Sequence, residues 1–486
     1  MSARARLREA VRRHRDPRRQ KWSECGRRRW LLPLLLFLGV TGVFWAILPH
    51  RIDALRPLAT PLPAPTGDEP YYLEMALSLL RYGSLELTRA RSIDRLYSEF
   101  YPEPLLGHEA NSPRGHVSKH YPGLSVLIAP FYLVGDALGR GAYGAGRFAV
   151  ALALGVVGGL VAMNIFLVAR ETGGGTWWSA AVALLLAFSS PLLSYSFLIF
   201  PELPAALLTV YAFRRARLPN GSARTLLTGA ALGLLPWLHP RFIVLALALA
   251  AWFVIGRRRT AREVALLLAP AAVSAAGIVL YHLWAFGSPL PNSGDHAGFG
   301  GPQHLLIGAA GLLLDQQWGL LIYAPIYLLV AAGLPALVVH RRRDALGLLI
   351  VTLPYFLLIA AYLQWWGEWG PPARYLTAVV PLAALPLAAA RPACWWQWGI
   401  AALLALPSLT IGVLFVLWPE TMYNHPTGHG HLWLRLADSG LPNLVPFLPS
   451  FVAPGADGAL LMALWIVFAG LAAALLTLSG PGAQAR

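Results

Sequence analysis

Residues 31–48, LLPLLLFLGVTGVFWAIL, form an apolar run without a single charged side chain. A helix of this length nearly crosses the hydrocarbon core of a bilayer, which is ~30 Å thick. Residues 1–29 before it hold twelve Lys or Arg against three acids, about +9 of the net charge of +16. A basic segment followed by an apolar run is typical of a cytoplasmic tail and a first span. The tail therefore predicts attraction to membrane lipid and no nucleic-acid partner.

The composition indicates further membrane crossings. Hydrophobic residues make up 57% of the chain and charged residues 13%, a balance too apolar for a soluble globular domain. Several other runs approach the ~20 residues that a transmembrane helix needs. We therefore predict an all-α polytopic membrane protein with about twelve transmembrane helices, in a range of ten to thirteen. The predicted spans are 31–48, 147–169, 176–196, 202–214, 225–238, 241–256, 263–285, 318–339, 345–364, 373–390, 398–418 and 458–478.

Charge decides whether the apolar run 121–138 is also a span. If it does not cross, fourteen arginines of the short loops and the C-terminus fall on one side and three, Arg241, Arg374 and Arg435, on the other. If it crosses, the distribution inverts, against the rule that positive residues stay inside. The run is therefore predicted to lie on or dip into the outer face. The fourteen arginines are Arg170, Arg214, Arg215, Arg217, Arg224, Arg257, Arg258, Arg259, Arg262, Arg341, Arg342, Arg343, Arg391 and Arg486.

This topology places both termini in the cytoplasm and leaves outer loops at 49–146, 286–317 and 419–457. The cytoplasmic loops are short and basic. Their one glycine run, residues 173–175, lacks the lysine and hydroxyl of a P-loop. Any chemistry is therefore expected on the outer face.

The first outer loop carries an acidic pair, Asp68 and Glu69, directly before Pro70, which suits the first turn of a helix. Apolar residues recur at helical spacing over 72–80, and Gly83 is expected to end the helix. The opposite face carries Glu74, Ser78 and Arg81. Such a helix is expected to lie flat at the outer interface. Asp68 is then either an N-terminal cap of this helix or part of a reaction centre.

Other loops bring carboxylates, cations and aromatic rings to the same predicted face. Each has a structural alternative: a snorkelling lysine, a helix cap, a lipid headgroup contact or an interface anchor. Together they suit the binding of a sugar and a phosphate. The candidate substrate-binding residues are Lys119, His120, Tyr121, Glu202, His239, Arg241, Glu368, Arg374 and Tyr375.

The sequence assigns no metal ligand. His425, His429, His431 and Asp438 lie close in sequence, but their loop lacks the helical histidine spacing of a metal site. No cofactor is predicted. A divalent cation is left possible and unassigned.

Four of these segments resemble the GT-C superfamily of multi-pass glycosyltransferases, which use polyprenyl-phosphate sugars. They are residues 68–72 (DEPYY), residues 119–123 (KHYPG), Glu202 in the second outer turn, and Arg374-Tyr375 after a Trp/Gly loop. The most similar groups are the bacterial protein O-mannosyltransferase-like and aminoarabinose-transferase-like enzymes. Two positions depart from the family pattern. Glu202 stands where Asp is usual, and Glu368 stands where glycine is common in the Trp/Gly loop.

The resemblance implies an inverting transfer of a hexosyl or pentosyl group from a polyprenyl-phosphate sugar to a protein, lipid or cell-envelope glycan. The enzyme would act on the outer face of the bacterial cytoplasmic membrane. Asp68 is expected to be the general base, with Glu69 beside it as the second catalytic-site residue. Residues 30–260 would form the catalytic module after the tail 1–29, and 261–486 a C-terminal transmembrane module.

Two other functions stay open. One is a flippase or transporter for a lipid-linked sugar, although transporters tend to carry ionisable residues in mid-membrane, and these spans are nearly free of charge. The other is a non-catalytic envelope-assembly subunit with a transferase fold. Transfer by the purified chain would distinguish an enzyme from both.

Overall fold

The computed structural model describes residues 28–54, 67–101, 104–105, 107–110, 112–142, 144–290, 298–455 and 458–479. Most of the predicted basic tail, 1–29, lies outside the described residues. Within them the chain is almost entirely helical, which confirms the predicted all-α class. A two-residue antiparallel pair, β1 (Glu109–Ala110) with β2 (Val117–Ser118), is the only sheet in these ranges.

The helices follow the chain in this order. The first nine are α1 (Arg28–Ala54), α2 (Glu69–Tyr82), α3 (Gly123–Leu138), α4 (Ala145–Thr172), α5 (Thr176–Ala187), α6 (Leu192–Tyr195), α7 (Glu202–Arg217), α8 (Ser222–Leu238) and α9 (Ile243–Ile255). The others are α10 (Ala261–Phe286), α11 (Pro302–Leu314), α12 (Leu320–Tyr323), α13 (Leu329–His340), α14 (Arg342–Ala361), α15 (Ala384–Ala389), α16 (Trp395–Leu417), α17 (His431–Asp438) and α18 (Gly458–Ser479).

Six of the described helices are long and apolar enough to cross a bilayer, and shorter apolar helices accompany them. The chain is therefore a multi-pass membrane protein. Predicted spans 318–339 and 373–390 are broken. The first combines α12, a 3-10 turn at Pro325–Leu328 and α13, and the second combines 3-10 turns with α15. Such irregular backbone is tolerated at membrane depth only where protein covers it, and both segments are largely buried.

The first loop stays at one end of the bundle. Helices α1 and α4 run antiparallel, because Trp45 donates to the carbonyl of Leu152 over 2.8 Å while Thr41 packs against Gly159. The end of α1 and the start of α4 therefore share one end. Helix α3 lies across that end, since a Cβ on Gly123 would touch the end of α8 at Trp237 and one on Gly135 would touch the start of α4. These contacts place both ends of α3 against the bundle, while the interfacial position of 121–138 in the membrane stays a prediction.

Two details differ from the sequence expectation. Helix α2 ends at Gly83 as predicted, but of its three polar-face residues only Arg81 is exposed. Glu74 and Ser78 are fully buried, because Arg91 pairs with Glu74 and the Ser78 hydroxyl donates to the carbonyls of Ser84 and Glu86. The predicted outer loop 286–317 also contains helix α11, whose Gly308 packs against the end of α14.

The sidedness of this arrangement is a prediction from charge, and cysteine labelling tests it. In a background with Cys25 and Cys394 replaced by Ser, Arg89→Cys in the first loop should react with a membrane-impermeant maleimide in right-side-out vesicles. Arg258→Cys, also exposed, should react only after permeabilisation. The opposite pattern would place the first loop in the cytoplasm.

Candidate active site

Asp68 immediately precedes α2, yet its side chain does not cap the helix. No hydrogen bond joins its carboxylate to the first-turn N–H groups. Instead, Arg374 donates to Asp68 Oδ2 from the other half of the chain. The structure therefore does not show Asp68 as a helix cap. Its carboxylate points into a cluster of charged side chains instead.

The cluster continues through Glu202, the first residue of α7. Arg374 Nε donates to Glu202 Oε1 over 3.0 Å, and Arg241 Nη2 donates to the same oxygen over 2.6 Å. Glu202 has no exposed surface, and both arginine side chains are more than nine-tenths buried. Two carboxylates and two guanidinium groups thus alternate in one buried network, which balances charges that would be costly to bury singly.

Local backbone geometry aims the two arginines. Arg374 follows Ala373, which has a left-handed φ of 57°, and its Nη1 donates to the carbonyl of Gly367 over 2.9 Å. Arg241 lies in a short 3-10 turn after His239, whose Nδ1 accepts from the Arg241 backbone N–H over 3.2 Å. The Arg241 guanidinium also covers the ring of Tyr375 at 4.4 Å from its centroid. Each cation is therefore fixed before any substrate binds.

Glu69 leaves this cluster although it is adjacent to Asp68 in sequence. Its side chain is fully buried, accepting from Arg147 Nη2 over 2.8 Å and from the backbone N–H of Ile199 over 2.7 Å. These contacts join the starts of α2 and α4 to the segment before α7. The two predicted acids therefore have different surroundings. Asp68 contacts Arg374, and Glu69 joins α2 and α4 to the segment before α7.

His120 lies next to Asp68 and forms a pair that the sequence did not indicate. His120 Nε2 is 2.7 Å from His108 Nδ1, and Tyr71 stacks on His108 with ring centroids 4.0 Å apart. No spacing links residues 108 and 120. They meet because β1 and β2 pair antiparallel: His108 directly precedes β1, and His120 lies two residues after β2, so both rings lie at the same end of the pair.

Burial controls the charge of these groups. It lowers the pKa of His108 to about 3, with help from His120, and that of His120 to about 4, so both rings are neutral near pH 7. Burial alone would raise the pKa of Asp68, but the Arg374 guanidinium, joined in acid by the two protonated histidines, outweighs it and holds the pKa well below its usual value. Asp68 is therefore ionised.

Asp68, His108 and His120 also form a potential cation site, with ligand atoms all within 4.8 Å of one another. Two neutral imidazoles and a carboxylate are suitable donors for a borderline cation such as Zn²⁺. The two ring nitrogens lie at hydrogen-bond distance, so they would move slightly apart around an ion. His425, His429, His431 and Asp438, to which the sequence assigns no metal, form no such group among the described residues.

The other predicted residues take separate places. Lys119 is partly buried, and its ammonium has no hydrogen-bond or ion-pair partner in the described part of the chain. Tyr121 is structural, since its hydroxyl lies 2.6 Å from His282 Nε2 on α10. Glu368 is exposed, contacts Gln364, and has a φ of 51°, in the left-handed region that explains why glycine suits this position.

Comparisons with known proteins give a partial likeness. No protein-family model and no curated protein matches the chain. The structure is similar to that of the Archaeoglobus fulgidus oligosaccharyltransferase in complex with Zn and sulfate, at 15% identity and a TM-score of 0.45, over 78% of this chain and 53% of that chain. It is also similar to the complex of that enzyme with an inhibitory peptide and dolichol-phosphate, at 14% identity and a TM-score of 0.44, over 85% and 59%.

This chain spans little more than half the length of that archaeal protein. An oligosaccharyltransferase is a membrane glycosyltransferase, the class that the sequence resembles, while neither match is to a bacterial subtype. Both TM-scores stay below 0.5, so the function proposed below rests on the site residues.

Glu202 should be the most sensitive position of the network. Glu202→Ala would leave two buried guanidinium groups without their shared carboxylate, at a cost of about 3 to 5 kcal/mol. A large fall in the thermal midpoint of the purified protein is expected. Glu368→Gly is the matched control, because that exposed carboxylate is outside the network and its φ favours glycine. Equal midpoints for both variants would contradict the role given to Glu202.

The histidine pair predicts sensitivity to acid. The unfolded chain takes up protons near the ordinary pKa of 6.5, whereas the folded rings do so only near 3 and 4. Stability should therefore fall as the pH drops from about 6.5 towards 4. Thermal unfolding across this range measures it. The double variant His108→Gln, His120→Gln should show a shallower dependence, and an unchanged slope would contradict the assignment.

Proposed function

We propose that the protein is a membrane glycosyltransferase that moves a sugar from a polyprenyl-phosphate donor to an acceptor on the outer face of the bacterial cytoplasmic membrane. The observation that carries the proposal is the buried network of Asp68, Arg374, Glu202 and Arg241, with the unpaired Lys119 beside the adjoining histidines. It lies at one end of a membrane bundle, where a lipid-borne head group can reach it.

The charge balance of the site favours a phosphate. The two carboxylates offset the two guanidinium groups, and both histidines are neutral, so Lys119 gives the site an excess of positive charge. An ammonium without a protein partner is a ready ligand for a phosphate oxygen. Arg241 and Arg374 have their main contacts with carboxylates. The two arginines therefore mainly position Asp68 and Glu202. A phosphate would bind the N–H groups that these carboxylates leave available.

Asp68 is the general base in this proposal. Its carboxylate takes the proton from an acceptor hydroxyl or amine as that group attacks the anomeric carbon, and the bond to the phosphate oxygen breaks in the same displacement. The phosphate leaves as an anion and needs charge stabilisation more than a proton. Arg374 keeps Asp68 ionised but weakens it as a base. A phosphate that drew the guanidinium towards itself would restore basicity when the donor is bound.

Glu202, His239 and Tyr375 are proposed to act through the arginines, which they contact. Glu69 is proposed as a positioning residue, because its contacts are with Arg147 and Ile199. Should a cation be bound by Asp68, His108 and His120, it would supply further positive charge beside the leaving phosphate. The sugar acceptor in the broad proposal is a protein, a lipid or an envelope glycan.

The decisive experiment is transfer in proteoliposomes from a radiolabelled polyprenyl-phosphate sugar. Asp68→Asn should lower the turnover at least about a hundredfold, the usual contribution of a positioned base, with the donor KM little changed. Lys119→Ala should instead raise the donor KM. Unchanged turnover in Asp68→Asn, at equal protein level, would remove the assignment. Failure of the wild-type chain to transfer any sugar would favour transport or assembly.

A further inference from the structure

The indole of Trp369 lies beside the residue that precedes Asp68. Gly67 has a φ of 60°, and a Cβ there would lie 2.9 Å from the carbonyl oxygen of Trp369 and 3.4 Å from its ring carbon Cδ1. The Trp369 side chain is still 37% exposed. An aromatic ring therefore borders the approach to Asp68 and remains partly open to solvent.

Two rings from a distant segment support this indole. Tyr423 lies nearly parallel to Trp369, with centroids 5.8 Å apart and an angle of 22°, and His425 approaches to 4.0 Å. Buried amides fix their segment, since Gln317 donates to the carbonyl of His425 and Asn424 donates to the carbonyl of Gln317 over 2.8 Å. The surface is therefore rigid before a ligand binds, which lowers the entropic cost of binding.

Two polar side chains accompany the indole. Glu368, the preceding residue, is exposed, and its carboxylate accepts from the amide of Gln364. The imidazole of His425 is exposed and has no hydrogen-bond partner for its ring nitrogens in the described ranges. An imidazole that can donate and accept thus contacts the indole, and a carboxylate acceptor is carried by the adjacent residue.

This combination matches the chemistry of a saccharide. A pyranose ring has a C–H face that packs on the negative face of an indole, and hydroxyl groups around its rim that both donate and accept hydrogen bonds.

We propose that Trp369, His425 and Glu368 form a saccharide-binding surface at the entrance to the site. The acceptor that reaches Asp68 is then a carbohydrate, whether a glycan or the sugar of a glycolipid. This inference rests on the proposed transferase function and adds the class of acceptor to it.

Saturation-transfer NMR on the purified chain in nanodiscs tests the surface without any donor. The probes are chitotriose, mannotriose and a hexapeptide that contains Ser and Thr. Wild-type protein should transfer saturation to a trisaccharide and not to the peptide. Trp369→Ala should weaken the trisaccharide affinity about tenfold, equal to about 1.4 kcal/mol, while Trp369→Phe keeps most of it. Trp395→Ala, at an exposed indole on α16, is the matched control and should change nothing.

The outcomes separate this inference from the broader function. Asp68→Asn should bind the trisaccharide normally and fail in transfer. Binding of the peptide alone, binding of no probe, or equal affinity in Trp369→Ala would overturn the saccharide surface, even if sugar transfer is observed with another acceptor. Binding with the expected loss in Trp369→Ala, but no transfer by the wild type, would overturn the transferase function and leave the surface in place. Thermal midpoints show that each variant is folded.

Discussion

The guanidinium of Arg374 joins the first loop of the chain to its second half. It donates to Asp68 before α2, to Glu202 at the start of α7 and to the carbonyl of Gly367 in its own loop. A charge taken out of water is costly unless it is paired and hydrogen-bonded, and here each buried charge has a partner. The candidate site therefore also stabilises the fold, because its buried charges are paired only when the segments that carry them are in contact.

Helix α2 shows how this constraint extends outward. Asp68, which precedes it, and Glu69 and Glu74 within it are each matched by an arginine from a different segment: Arg374, Arg147 and Arg91, respectively. Three pairs in different directions fix both the position and the rotation of one short helix. The cost is that substitutions in these pairs are poorly tolerated, because breaking a buried ion pair leaves a charge without a partner. The benefit is that Asp68, the proposed base, is held in one position before a substrate binds.

The second half of the chain also shapes the entrance to the site. The Trp/Gly loop supplies Arg374 to the network and Trp369 to its edge, and the segment around His425 supports that indole. Gln317 holds this segment, and Asp315 holds Gln317 by accepting its backbone N–H over 2.7 Å. The proposed catalytic base therefore comes from the first loop, while the groups that would select an acceptor come from loops that lie far apart in sequence.

The sequence by itself determined the class and the plan of the molecule. Apolar runs between basic loops are sufficient to predict a polytopic helical protein, because a bilayer accepts little else. Charge counting also placed run 121–138 across one end of the bundle. Pattern and resemblance together identified Asp68, Glu202, Arg241 and Arg374, which the structure brings into one network. Hydrophobic runs and charge clusters can be recognised in the sequence because they depend on the surrounding lipid or water and on helical periodicity, and not on distant contacts.

Only the tertiary structure decided what those residues contact. Adjacent in sequence, Asp68 and Glu69 point to different partners, and no pattern distinguishes two neighbouring acids whose arginines are distant. Glu74 and Ser78 on the polar face of α2 are buried because Arg91 and the backbone of Ser84 and Glu86 contact them. His108 carried no signal at all, since its approach to His120 depends on the pairing of two very short strands. These contacts depend on pairing between charges and rings that lie far apart in the chain. The spacing of residues along the sequence does not indicate which distant partner each side chain contacts.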